Sequence, residues 1–86
     1  MRILFSEQAW EDYQYWLSTD KKILKRINLL IRDTARDPFE GLGKPEPLRH
    51  MLKGYWSRRI TEEHRMVYRV KEDTLMLGQL RYHYEG

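Results

Sequence analysis

Cysteine is absent from these 86 residues, which removes disulfides, thiolate nucleophiles and thiolate metal sites together. No apolar run approaches the ~18 residues of a membrane span. Met1-Arg2-Ile3-Leu4-Phe5 is too short for a signal peptide, so a cytoplasmic protein with no membrane partner is expected. Repeats, low-complexity segments and linkers are also missing. Residues 1–86 are too few to split into two workable cores, which leaves one domain. No set of His, Asp and Glu shows metal-ligand spacing, and nothing in the chain calls for a cofactor. All three prolines fall within residues 38–47, together with two of the five glycines.

What is present begins with aromatics and charge. Three Trp and six Tyr offer much of the packing that a domain of this size needs. Sixteen Lys and Arg stand against thirteen Asp and Glu, a mild excess whose distribution says more than its total. Between residues 44 and 69 the basic positions are Lys44, Arg49, Lys53, Arg58, Arg59, Arg65 and Arg69, opposed by Glu46, Glu62 and Glu63. A basic surface on this half fits a nucleic acid or another anionic partner. It equally fits a solvated face that keeps a small protein soluble.

Ile3-Leu4-Phe5 predicts a short opening strand. Ser6 fits an N-cap with Glu7 in the first turn. Ala9, Trp10, Tyr13, Trp16 and Leu17 recur at helical spacing, predicting a helix over 6–18 with Trp10, Tyr13 and Trp16 read as core. Thr19 and Asp20 offer a second cap. Ile23, Leu24, Ile27, Leu30, Ile31 and Thr34 then mark one face of a longer helix that Asp37-Pro38 stops. Residues 39–47 read as a loop stiffened at its C-terminal end. Beyond it the period changes to alternation, predicting strands over 55–61, 65–70 and 74–82 joined by short turns. The expected fold is α+β: an N-terminal strand and an αα-hairpin packed on one face of an antiparallel sheet.

Alternation also assigns faces. Met66, Tyr68 and Val70 should point at the helices, leaving Arg65, Val67 and Arg69 on the open face. Burying Trp56 and Ile60 turns Arg59 outward. Burying Leu80 and Tyr82 turns Arg81 and His83 outward, although Leu75 and Leu77 share the parity of His83. On this reading Arg59, Arg65, Arg81 and His83 converge beside the Glu46 loop.

Those residues match one chemistry. RNA is cut when its 2′-hydroxyl attacks the adjacent phosphate, which requires a base, cations for the phosphorane and an acid for the 5′-oxygen. Glu46 fits the base, Arg65 the cation, and His83, of a residue type that titrates near pH ~6.5, the acid. Lys44, Arg49, Arg59 and Arg81 would add phosphate contacts, and Tyr84 could stack on a base or hydrogen-bond the phosphate. By residue type alone, Glu46 is also an ordinary loop charge. Arg65 equally fits a surface partner of Glu62 or Glu63, and His83 a solvated residue. His50 and His64 read as surface or turn residues rather than catalysts.

Trp10-Glu11-Asp12-Tyr13, Pro38-Phe39-Glu40-Gly41, Gly43-Lys44-Pro45-Glu46-Pro47-Leu48, Trp56-Ser57-Arg58-Arg59-Ile60, Glu63-His64-Arg65-Met66-Val67-Tyr68 and Tyr82-His83-Tyr84 carry a family likeness. Through them the whole chain closely resembles the YoeB branch of the RelE/ParE toxin superfamily. The resemblance implies the RelE-like fold, also described as microbial RNase-like. It implies a ribosome-dependent endoribonuclease that cleaves mRNA in the ribosomal A site, held in check by a cognate antitoxin of the YefM/Phd-like kind. It places the general base on Glu46, the phosphate-stabilising arginine on Arg65, the general acid on His83 and an assisting aromatic on Tyr84. Arg49 stands where a lysine is familiar, and Glu85-Gly86 extends past the usual His-Tyr end. The implied partners are the antitoxin and the ribosome with its mRNA; the sequence leaves open whether the chain also forms a homodimer. A ParE-like binder that poisons DNA gyrase is the alternative on the same fold, and a noncatalytic RNA-binding module a third.

Overall fold

In the computed structural model, residues 1–83 are described; Tyr84, Glu85 and Gly86 lie outside them. The expected elements are present. Strand β1 (Arg2–Phe5) leads into α1 (Glu7–Thr19) and α2 (Lys21–Arg36). The two-residue strand β2 (Glu46–Pro47), a single 3-10 turn (His50–Leu52), β3 (Trp56–Arg59), β4 (Arg65–Lys71) and β5 (Thr74–Gln79) follow. Among these elements no helix is long and apolar enough to cross a membrane.

Both helix starts are capped as the side chains dictate. The Ala9 N–H donates to Ser6 Oγ at 3.0 Å, and the Lys22 and Ile23 N–H groups donate to Asp20 Oδ1. Each cap satisfies donors that a helix start leaves without intrahelical partners. Asp37 ends α2 ahead of Pro38.

The sheet order is β1-β5-β4-β3-β2. Strands β2 to β5 pair antiparallel, but β1 lies parallel to β5, with Ile3 opposite Leu75. The sheet is therefore mixed rather than wholly antiparallel. The two helices carry the chain back before β2 begins, so β1 is left to pair at the far edge. One helical face and one sheet face close the core. It contains Ala9, Trp16, Ile27, Leu30, Ile31, Ile60, Met66, Tyr68, Leu75, Leu77 and Leu80. Trp10 departs from the expected stripe. It is 52% exposed, stacked beside Tyr13 and edge-on to Phe5.

The last strand corrects the expected parity. Val67 pairs with Gln79 while the next residue, Tyr68, pairs with Leu77, so β5 holds one extra residue, Gly78. This bulge shifts the alternation and lets Leu75, Leu77 and Leu80 all enter the core. The strand ends at Gln79 rather than Tyr82. Tyr82 is 56% exposed rather than buried, with φ 64°. The Arg81 guanidinium turns to the helix side and lies 3.5 Å from the Tyr15 ring centroid on α1.

Candidate active site

Cross-strand register builds the site. Glu46 pairs with Ser57, Ser57 with Val67, and Val67 with Gln79. The neighbouring row, Pro47, Trp56, Tyr68 and Leu77, contains the core residues Tyr68 and Leu77. Successive residues point to opposite faces, so the Glu46 row lies on the face away from the helices. Arg59 and Arg65 pair with each other two residues along and share that face. At ~4.8 Å per strand, Glu46 stands two strands, or about 10 Å, from the β4 backbone that carries Arg65.

Glu46 is positioned by the loop before it, and that loop is organised around Arg58. Its guanidinium is fully buried. Nη1 donates to Asp33 Oδ2 at 2.7 Å and to the Leu42 carbonyl at 3.1 Å. Nη2 donates to the carbonyls of Asp37 and Glu40, and Nε to Tyr68 Oη. Tyr68 Oη in turn donates to the Pro38 carbonyl at 2.6 Å. Arg58 was expected on the basic surface. Instead it shares the parity of Trp56 and Ile60 and is paired with a carboxylate beneath the loop. The Arg36 side chain, the Leu42 N–H and Arg58 hold the Asp33 carboxyl well below the usual carboxylate range. The Arg59 N–H then donates to the Gly43 carbonyl at 2.6 Å. Gly43 has φ 80°, and a Cβ there would lie 3.0 Å from both the Arg59 carbonyl and Leu30. Only glycine fits that approach without displacement. Pro47 has no N–H to offer a further strand, which suits the sheet edge.

Arg65 does not pair with Glu62 or Glu63. Its Nη1 donates to the carbonyls of Thr61, Glu62 and His64, at 2.6, 3.0 and 3.2 Å, fastening one side of the guanidinium to the β3–β4 turn. Its backbone N–H donates to the Tyr82 carbonyl at 3.0 Å, so the segment carrying His83 enters beside Arg65. An open cleft of about 610 Å³ is lined by Gln8, Asp12, Gln79, Arg81, Tyr82 and His83. Lys44 and Arg49 are exposed on either side of Glu46 in sequence, and Arg59 is exposed on β3. The structure thus brings Glu46, Arg59 and Arg65 to one face and the backbone just ahead of His83 to its Arg65 end, while the cleft that His83 lines is completed by Gln8 and Asp12 of α1 and by none of those three. Arg81 is engaged by aromatic rings on the helix side, and Tyr84 lies outside the described residues.

Sequence reading missed the residues that hold the C-terminal segment. Gln79 Nε2 donates to the carbonyls of Arg81, Tyr82 and His83. The buried Asp12 Oδ2 accepts the Leu80 N–H at 2.9 Å, and Trp16 Nε1 donates to the Leu80 carbonyl. His64 Nδ1 accepts the Tyr82 N–H at 2.8 Å. Asp12 was legible, since it shares the helical face of Ala9 and Trp16. Gln79 carried no such signal.

Known proteins share this fold and much of this sequence. Residues 5–84 match the profile of the YoeB-like toxin of bacterial type II toxin-antitoxin systems. Toxin YoeB of Escherichia coli strain K12 is 62% identical over 84 residues, covering 98% of this chain and 100% of that one. The solved YoeB/ParE toxin from Agrobacterium tumefaciens superposes with a TM-score of 0.95 at 50% identity, covering 98% and 100%. The toxin of the Staphylococcus aureus YoeB-YefM complex gives 0.90 at 46% identity, with 98% of each chain covered. A YoeB dimer from the same organism has also been solved. With likeness running the length of the chain in both sequence and fold, this protein belongs to the YoeB-like toxins of bacterial type II toxin–antitoxin systems.

Proposed function

We propose that this toxin is an endoribonuclease that cleaves mRNA in the ribosomal A site and so stops translation. The observation that carries the reading is the shared face of Glu46, Arg59 and Arg65, with the His83 segment bonded to the Arg65 backbone. Glu46 takes the proton of the RNA 2′-hydroxyl as that oxygen bonds to phosphorus. Arg65 and Arg59 stabilise the charge on the phosphorane oxygens. His83 gives a proton to the 5′-oxygen as the phosphorus–oxygen bond breaks. The products are a 2′,3′-cyclic phosphate and a free 5′-hydroxyl. Lys44 and Arg49 supply further phosphate contacts. Arg81, seated on Tyr15, contributes field rather than direct contact. Tyr84, outside the described residues, is assigned the assisting aromatic role, stacking on a base or hydrogen-bonding the phosphate.

The ribosome enters for a physical reason. A small exposed site is poorly placed to hold a free strand in line for attack, and a decoding centre that grips the mRNA supplies that orientation. A cognate antitoxin, of the YefM type seen with the S. aureus relative, blocks the same face, and the toxin self-associates as its relative does. The scheme assigns the base, the cations and the acid to side chains alone, so cleavage is expected to continue in EDTA wherever the ribosome survives.

The test is a programmed ribosome carrying mRNA with a 2′-deoxy nucleotide at the scissile position. The ribosome should bind it normally and the toxin should leave it intact, while the all-ribose control is cut to a 5′-hydroxyl product. Cleavage of the deoxy mRNA at an unreduced rate would remove the hydroxyl as nucleophile and dissolve the roles of Glu46 and His83. Gyrase poisoning without any mRNA cleavage would favour the ParE-like alternative.

A further inference from the structure

Among the described residues, His64 is the histidine whose ring is built into the scaffold of the site. Its own backbone is fully held. The N–H donates to Thr61 Oγ1 at 3.1 Å, and the carbonyl accepts from the N–H groups of Ile60 and Thr61 and from Arg65 Nη1. The ring sits between Trp16, edge-on at 4.8 Å, and Tyr82 at 5.7 Å. Trp16 is itself tied to the Leu80 carbonyl, so the ring's support and the segment it supports are linked.

The contact that matters is the 2.8 Å bond from the Tyr82 N–H to His64 Nδ1. Tyr82 has φ 64°, a left-handed conformation that a bulky residue adopts only where its surroundings impose it. Both of its backbone polar atoms are gripped by consecutive residues, the N–H by His64 and the carbonyl by the Arg65 N–H at 3.0 Å. The next residue is His83. An acceptor at Nδ1 requires an unprotonated nitrogen there, which leaves the ring's proton on Nε2. The same residue that braces Arg65 through its carbonyl therefore sets the chain direction at His83 through its ring.

The geometry assigns His64 as a positioning residue for His83, acting through the Tyr82 amide. The assignment rests on the proposed nuclease reading, in which His83 delivers the proton. Three variants separate the acceptor from the packing. In His64→Asn the Oδ1 falls near the place of Nδ1 and restores the acceptor. His64→Gln puts its oxygen one bond too far, and His64→Leu fills the ring's space with no acceptor. In the purified toxin, NMR hydrogen exchange should show the Tyr82 amide protected in the parent and in Asn, and exchanging at least about tenfold faster in Gln and Leu. On programmed ribosomes, kcat should fall about 10- to 100-fold in Gln and Leu with KM little changed, as displacement of a proton donor requires. Asn should stay close to the parent.

Folded Gln or Leu variants that cleave at the parent rate would overturn the assignment. So would an Asn variant as inactive as Leu, because the imidazole itself would then be needed. A parent that cleaves nothing on ribosomes would sink the nuclease reading alone. The anchor would still be decided by exchange, and a Tyr82 amide equally protected in all variants would refute it.

Discussion

Arg58 and Arg59 are adjacent, identical in type and opposite in consequence. Arg58 makes five hydrogen bonds under the loop and an ion pair with Asp33. The Arg59 side chain stands exposed on the face of Glu46. Truncating a buried ion-pair partner leaves an uncompensated charge and costs about 3–5 kcal/mol, whereas an exposed substitution stays within about 0.5 kcal/mol. Arg58→Ala should therefore lower the urea midpoint steeply. Arg59→Ala should melt like the parent yet cleave mRNA more slowly. Equal stability of the two variants would show that the Arg58 network does not organise the loop. Part of this was legible in the sequence, because Arg58 shares the parity of Trp56 and Ile60. Residue type alone counted it as surface charge. The partner that makes its burial tolerable, Asp33, lies 25 residues away, beyond any local pattern.

At the scale of elements, periodicity and caps located β1, both helices and the meander, since those signals are local. Three features escaped because they arise from pairing between segments, the parallel pairing of β1 with β5 among them. The β5 bulge at Gly78 reconciles Leu75 and Leu77 with Leu80, and an interior glycine in a strand was the one available hint. The short strand β2 follows a loop over 37–44 that is held from below by Arg58 and Asp33. The Asp33 carboxyl is held well below the usual carboxylate range by Arg36, the Leu42 N–H and Arg58, while an unfolded aspartate titrates near ~3.9. Between those values the unfolded chain binds the extra proton. The stabilisation is therefore complete above the unfolded pKa and declines as pH falls through it toward the folded one. Thermal melts of the parent should lose stability as pH falls below about 5. Asp33→Asn should be less stable at neutral pH and flatter with pH, so that the two curves converge in acid. Curves that remain parallel would mean that Asp33 carries none of the acid sensitivity.

For the whole molecule, the two faces of the sheet divide the work. One packs against α1 and α2 and makes the core, while the other carries Glu46, Arg59 and Arg65. The formal net charge is only +3, but the cations near the site are concentrated at Lys44, Arg49, Arg59 and Arg65. The prediction is that an antitoxin silences this chain by covering that face, and an acidic segment that is disordered when free and folds on docking suits it. Charge alone is a weak anchor on an exposed surface, since ions screen it over ~8–10 Å. Apolar side chains of the partner must share the binding, so affinity should fall only moderately between low and physiological salt. Combined Arg59→Ala and Arg65→Ala substitution should weaken antitoxin binding and flatten its salt dependence. Glu46→Gln should bind at least as tightly as the parent, because it removes a negative charge from the surface that receives an acidic segment. Both outcomes are readable by titration calorimetry across a salt series. Antitoxin bound tightly while the Glu46 and His83 surface stays open and the complex still cleaves mRNA would show that inhibition does not act by covering this face.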